Sequence, residues 1–200
     1  YPIDPEFVPY SLVEEIPGKI GDSAEKKREA WSESVRKKNT LMREKHPEGI
    51  SGFVEATTKT ALTAKKDENA VYSPVNVFLA LSMLSETTGG QSREQLLKLL
   101  GCKNQQELSA LAKDVFESCY KNDGTQEVLL ASSLWLDEDR EYKQDKVDAL
   151  AKDYYAGVYH GSFSDSGYSK EMRKWLNDNT GGLLKDYTSD FTFDPRTVMT

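Results

Sequence analysis

From Ser23 to about Lys45 the chain is crowded with charge, and Trp31, Val35 and Met42 fall near one helical face. That pattern predicts a helix with a narrow apolar stripe, ended by His46-Pro47-Glu48-Gly49. Before it, residues 1–22 carry Pro2, Pro5, Pro9 and Pro17 among scattered apolar residues, which reads as an extended arm. From about Gly52 to Ala64 the positions Phe53, Val54, Thr57, Thr60, Ala61 and Ala64 line one face of a second helix. A polar turn at residues 65–69 leads to Ala70–Tyr72, a very short strand by pattern. Ser73 then suits an N-cap and Pro74 the first helical position, where a missing N–H costs nothing. The stretch that follows, through Leu84, is apolar on nearly every face, so a central helix covered on all sides is expected.

Thr87-Thr88-Gly89-Gly90 stops that helix. Ser92 with Gln95 predicts a capping box for the next one, which Gly101 closes. Asn104 with Glu107 repeats the device, and Leu108, Leu111, Ala112, Val115, Phe116 and Cys119 keep a clean helical period behind it. After Asn122-Asp123-Gly124 the period changes. Val128–Leu136 is a continuous run interrupted only by small residues, the pattern of a strand buried on both faces. A helix through Val147, Leu150, Ala151 and Tyr154 follows, then a short strand at Val158–His160. The last helix is expected from near Ser169, burying Met172, Trp175 and Leu176 and ending at Gly181-Gly182. A further strand is expected at Arg196–Met199. Residues 1–50 thus read as an N-terminal extension, and residues 51–200 as part of one α+β domain.

Composition narrows the function classes. The 200 residues are 38% hydrophobic and 30% charged, with a net charge of −7. Residues 1–50 are close to neutral, so nearly all the negative balance lies in the body. A nucleic-acid partner would need a basic stripe there, and none is present. No apolar run approaches the ~20 residues of a membrane-spanning helix. Cys102 and Cys119 fit neither a disulfide framework nor a metal-ligand spacing; both read as thiols on helices, at least one of them buried. The chain opens on Tyr1-Pro2-Ile3, without an initiator Met or a charged-then-apolar leader, so a processed chain is expected.

Catalytic chemistry is not legible. His46 and His160 stand in generic contexts and read as structural. No nucleophile elbow, zinc-protease motif, phosphate loop or dinucleotide fingerprint occurs. Asp137-Glu138-Asp139 lacks the spacing of a calcium loop and reads as a solvated turn. Trp135 and Trp175 fall on core-facing positions, which favours packing over ligand binding. No cofactor, metal or catalytic residue is assigned.

Three motifs in order carry a resemblance. The run from Asn69 through Leu96 (N-A-V-Y-S-P-V-N-V-F-L-A-L-S-M-L-S-E-T-T-G-G-Q-S-R-E-Q-L) resembles the N-terminal signature of the serpins. Leu129–Asp137 is similar to that family's Asn-Ala-Leu-aromatic strand of its large sheet A. Phe163-Ser164-Asp165 with Met172–Gly182 is similar to its helix F. The likeness runs from about Gly52 to Thr200. Arg173, Leu183 and Asn76 depart from the usual residues at their positions.

The resemblance implies an α+β serpin-like fold, consisting of N-terminal helices and the first strands of sheet A, truncated before the reactive-centre loop. It implies a protein that is not an enzyme. The expected activity is inhibition of serine, or cysteine, proteases by suicide insertion of the cleaved reactive-centre loop into sheet A, a metastable device driven by conformational change. The partner is then a target serine protease engaged through a loop beyond Thr200, by a secreted or cell-surface protein that is monomeric at full length. Residues 1–200 alone are not expected to form a stable monomer. By the same resemblance Ser73 and Asn76 fall in the shutter where sheet A parts, and Trp175 packs helix F on the sheet. A non-inhibitory serpin-fold chaperone or carrier is the alternative, and an acidic, helix-rich interaction domain is a third reading.

Overall fold

A computed structural model describes Lys26 and residues 48–63, 69–122, 127–184 and 191–193. The expected arm, the charged helix of residues 23–45 (apart from Lys26, which is helical) and the strand at 196–199 lie outside the described residues. A short 3-10 turn at Glu48–Ile50 opens directly into α1, Ser51–Thr63. Phe53 is its buried residue and Val54, Thr57 and Ala61 are half-buried, whereas Thr60, expected on the inner face, is exposed.

Residues 69–73 form no strand. They approach α2 without a ladder partner among the described residues, and Val71 is fully exposed. α2 runs Pro74–Thr87 with Ser73 as its N-cap. The described residues cover one side of it: Phe78, Leu79, Ser82, Ser85 and Glu86 are buried, while Val75, Val77, Leu81 and Met83 are half-buried and Ala80 is exposed. Helix α3 is Gly90–Leu99 and starts two residues before the expected cap. Gly89 is its N-cap, and Ser92 lies inside the first turn rather than capping it. α3 buries no residue of its own, and Gly101, at φ +75°, lets the chain turn away after it.

α4, Gln105–Cys119, has the predicted cap. Asn104 Oδ1 accepts the Glu107 N–H at 2.9 Å, and Glu107 Oε2 accepts the Lys103 N–H at 2.9 Å. Leu108, Ala112, Val115 and Phe116 are buried along one stripe. The expected strand at Val128–Leu136 divides. Glu127–Val128 (β2) pairs antiparallel with Lys121–Asn122 (β1), and Val128 and Leu129 are exposed. The buried strand is Ser132–Asp137, β3. Helix α5, Gln144–Tyr154, connects it to β4, Ala156–Gly161, which pairs with β3 in parallel from Ser132↔Ala156 to Asp137↔Gly161. Only Tyr155 separates α5 from β4. It takes a left-handed φ of +51°, held by its hydroxyl donating to Glu117 Oε1 at 2.6 Å and by its ring 4.8 Å from Phe116.

α6 is Ser166–Asp178, beginning three residues earlier than expected because Asp165 caps it: Asp165 Oδ1 accepts the Gly167 N–H at 2.8 Å. It ends as predicted, with Gly182 at φ +81° donating its N–H to the Asn177 carbonyl at 2.9 Å.

Alternation along the strands sorts the core into two layers. Leu134, Leu136, Ala156 and Val158 join Phe78, Leu100, Leu108, Val115, Leu150 and Tyr154 in the larger cluster, beneath α2, α4 and α5. Trp135 and half-buried Tyr159 face the opposite way, toward α6.

Candidate functional site

The face of the β3–β4 sheet under α6 is built of rings. Trp135 stacks on Tyr159 with centroids 4.2 Å apart, and lies 5.2 Å from Tyr168 and 5.8 Å from Phe193. Phe163 stacks on Phe193 at 4.5 Å. Polar groups fix the orientation of this layer. Trp135 Nε1 donates to Ser133 Oγ at 2.9 Å, and the Tyr168 hydroxyl donates to the Leu136 carbonyl at 3.2 Å. Segment 191–193 returns along α6, where Arg173 donates to the Phe191 carbonyl at 2.6 Å and the Phe193 N–H donates to Ser169 Oγ at 3.3 Å. Burial pushes the Tyr168 hydroxyl well above the ordinary tyrosine pKa, so it stays a donor.

α6 does not seal this face. A cavity of about 480 Å³ opens between sheet and helix, lined by Ser133, Trp135, Met172, Trp175, Leu176, Phe191 and Thr192. Trp175 sits half-buried on its wall, packed against the ring cluster.

Ser73 and Asn76 stand elsewhere, at the start of α2. Ser73 Oγ accepts the Asn76 N–H at 3.4 Å, and both residues are exposed. No hydrogen bond or ring contact joins them to Trp175. Of the other candidates, His160 is exposed, edge-on to the Tyr142 ring at 6.0 Å. Cys102 is buried, but in the turn after α3 rather than on a helix. Its Sγ lies 3.7 Å from the Leu100 carbonyl, and burial raises its pKa. Cys119 is half-buried at the end of α4, and both cysteines are free thiols.

Pattern reading missed a polar hub at the C-terminal turn of α2. Glu86 is 5% exposed and pairs with Lys146 of α5 at 2.7 Å. The buried Tyr154 hydroxyl lies 3.3 Å from Glu86 Oε2 and accepts from Gln105 Nε2 at 3.0 Å; Gln105 Oε1 accepts from Ser85 Oγ at 2.8 Å. Arg93 of α3 donates to the carbonyls of Ser85 and Thr88. Burial and then the Glu86 charge hold the Tyr154 hydroxyl far above its ordinary pKa. The signal was present: Glu86 is the one charged residue in α2.

A sequence model described as serpin (serine protease inhibitor) matches residues 50–200. The chain belongs to the serpin family. Human neuroserpin is 27% identical over 139 residues, covering 67% of this chain and 33% of that protein. Arabidopsis thaliana "probable non-inhibitory serpin-Z5" is 25% identical over 136 residues, covering 60% and 30%. Among solved structures, the thermophilic serpin tengpin in its latent state superposes with a TM-score of 0.68 at 23% identity, covering 78% of this chain and 42% of that one. The chain therefore has the serpin fold and spans about a third of the length of the curated relatives it matches.

Proposed function

We propose that this chain is the N-terminal part of an inhibitor of serine, or cysteine, proteases that acts by inserting its own cleaved loop into the sheet containing β3 and β4. The observation that carries the reading is the sheet itself. Among the described residues β3 and β4 run side by side in parallel, and one face of the pair is crossed by α6, seated on rings over a cavity. Adding a strand to such a sheet gains a ladder of hydrogen bonds and buried side chains, so insertion runs downhill and holds an acyl-linked protease in place. α6 must shift for a strand to pass beneath it, and Trp175 packs where that motion occurs. Ser73 and Asn76 act as shutter residues in this reading, because short polar side chains exchange hydrogen bonds as strands part. The protein works outside the cell, as an inhibitor rather than an enzyme, and is monomeric at full length.

The test is a mixture of the full-length protein with serine proteases of different specificity. A complex that survives boiling in detergent supports the proposal; cleavage without a complex across the whole panel removes it. A second reading, a serpin-fold protein without inhibitory activity, draws support from the similarity to serpin-Z5.

A further inference from the structure

The hub at the end of α2 is unlike the rest of the helical layer. The contacts of α2 and α4 with α5 are otherwise made by Phe78, Leu108, Val115 and Leu150, all fully or nearly fully buried. At one end of the layer this apolar packing gives way to Ser85, Glu86, Gln105, Lys146 and Tyr154, joined in one chain of hydrogen bonds across three helices. A buried ion pair stabilises no better than apolar side chains of the same volume, so it is poor glue. It does have a property that close packing lacks. Parting two interdigitated apolar surfaces leaves a void, whereas a lysine that is one-third exposed can leave its carboxylate for water. The element this pair holds is α5, which is covalently continuous with β3 at one end and β4 at the other.

We infer that the Glu86–Lys146 pair is a releasable clasp: it anchors the β3–α5–β4 unit to α2 while closed and sets how readily that unit moves against the helical layer. The inference deepens the proposed function, since a sheet that admits a strand must move its existing strands. It names residues of this chain as positioning residues for that motion. Arg93 fixes the α2 side of the clasp by holding the Ser85 and Thr88 carbonyls, so opening displaces α5 and leaves α2 in place.

The experiment compares wild type, Glu86→Gln, Lys146→Met and the apolar replacement Glu86→Leu/Lys146→Met in the full-length protein. Hydrogen exchange is followed by mass spectrometry in residues 132–161 and, as the internal reference, in residues 51–63. Each single variant should raise exchange in 132–161 by about tenfold while residues 51–63 hold their wild-type rate, and the double variant should return 132–161 to the wild-type rate or slower. Lys146→Met removes a partly exposed group, so it reports even if Glu86→Gln does not accumulate folded. Exchange that is unchanged, that rises equally in both segments, or that stays raised in the double variant overturns the clasp. This readout needs no protease. Failure of the clasp is thereby separated from failure of the inhibitor proposal, which shows as an absent covalent complex.

Discussion

Gly161→Ala is the sharpest perturbation of the sheet–helix contact. A methyl group built at this position meets Tyr168 ring carbons at 2.8, 2.9 and 3.0 Å, against the ~3.5–4.0 Å of relaxed carbon contact. The ring would have to retreat by roughly 0.6 Å or more. It has nowhere to go: Phe193 lies 5.0 Å and Trp135 5.2 Å from its centroid, and its hydroxyl donates to the Leu136 carbonyl. Overpacking of this kind costs about 1–3 kcal/mol, and losing the buried hydrogen bond adds about 1 kcal/mol. The expected destabilisation is therefore about 2–4 kcal/mol, read as a lower urea midpoint at unchanged slope. Repeating Gly161→Ala in a Tyr168→Leu background isolates the cause. With the ring gone, the same substitution should cost less than about 0.5 kcal/mol. Equal losses in both backgrounds would refute the steric argument and the position assigned to α6.

Asn76→Leu should loosen the sheet if the shutter proposal holds, so that the full-length protein forms chain polymers on mild heating; wild-type size-exclusion profiles after heating contradict it. Asn104→Ala removes the α4 cap and should cost about 1 kcal/mol in urea unfolding, while a change within error contradicts the capping geometry. Tyr154, Tyr155 and Tyr168 all have folded-state pKa values above the ordinary tyrosine value, by burial first. The unfolded chain therefore releases these protons first, so their contribution is complete below about pH 10 and falls as the pH rises further. Tyr154→Phe should flatten that alkaline loss, and an unchanged slope would show that Tyr154 is not part of it.

Where the chain carried redundant signals, pattern and structure agree. Asn104 and Glu107 cap α4 reciprocally, the Asn104 side chain accepting the Glu107 N–H of the first turn and the Glu107 side chain reaching back to the Lys103 N–H just before the cap. The stripe from Leu108 to Phe116 has a single solution as a helix buried on one face. At Val128–Leu136 apolarity alone could not show where pairing begins. Val128 pairs with β1, Leu129 is exposed beyond that ladder, and only Leu134–Asp137 go inside. At Ser92 a capping box was available but unused, because Gly89 and Gly90 had already turned the chain into α3. The ring layer was half legible, since Trp135 announced burial, whereas its partner Phe193 comes from a segment with no periodicity. The Glu86 hub depends on α2, α4 and α5 meeting at one point, with partners as far apart as Glu86 and Lys146, and helical period reports only which face is apolar.

The central claim, that the β3–β4 sheet accepts a further strand, is tested most directly by melting the full-length protein before and after a single cleavage in its reactive-centre loop. If the cleaved loop inserts as proposed, it adds a strand to the sheet, so the cleaved form should melt well above the native one and resist urea that unfolds the uncut protein. A cleaved form that melts at or below the native temperature would contradict the account, leaving a serpin fold that does not use its sheet to inhibit.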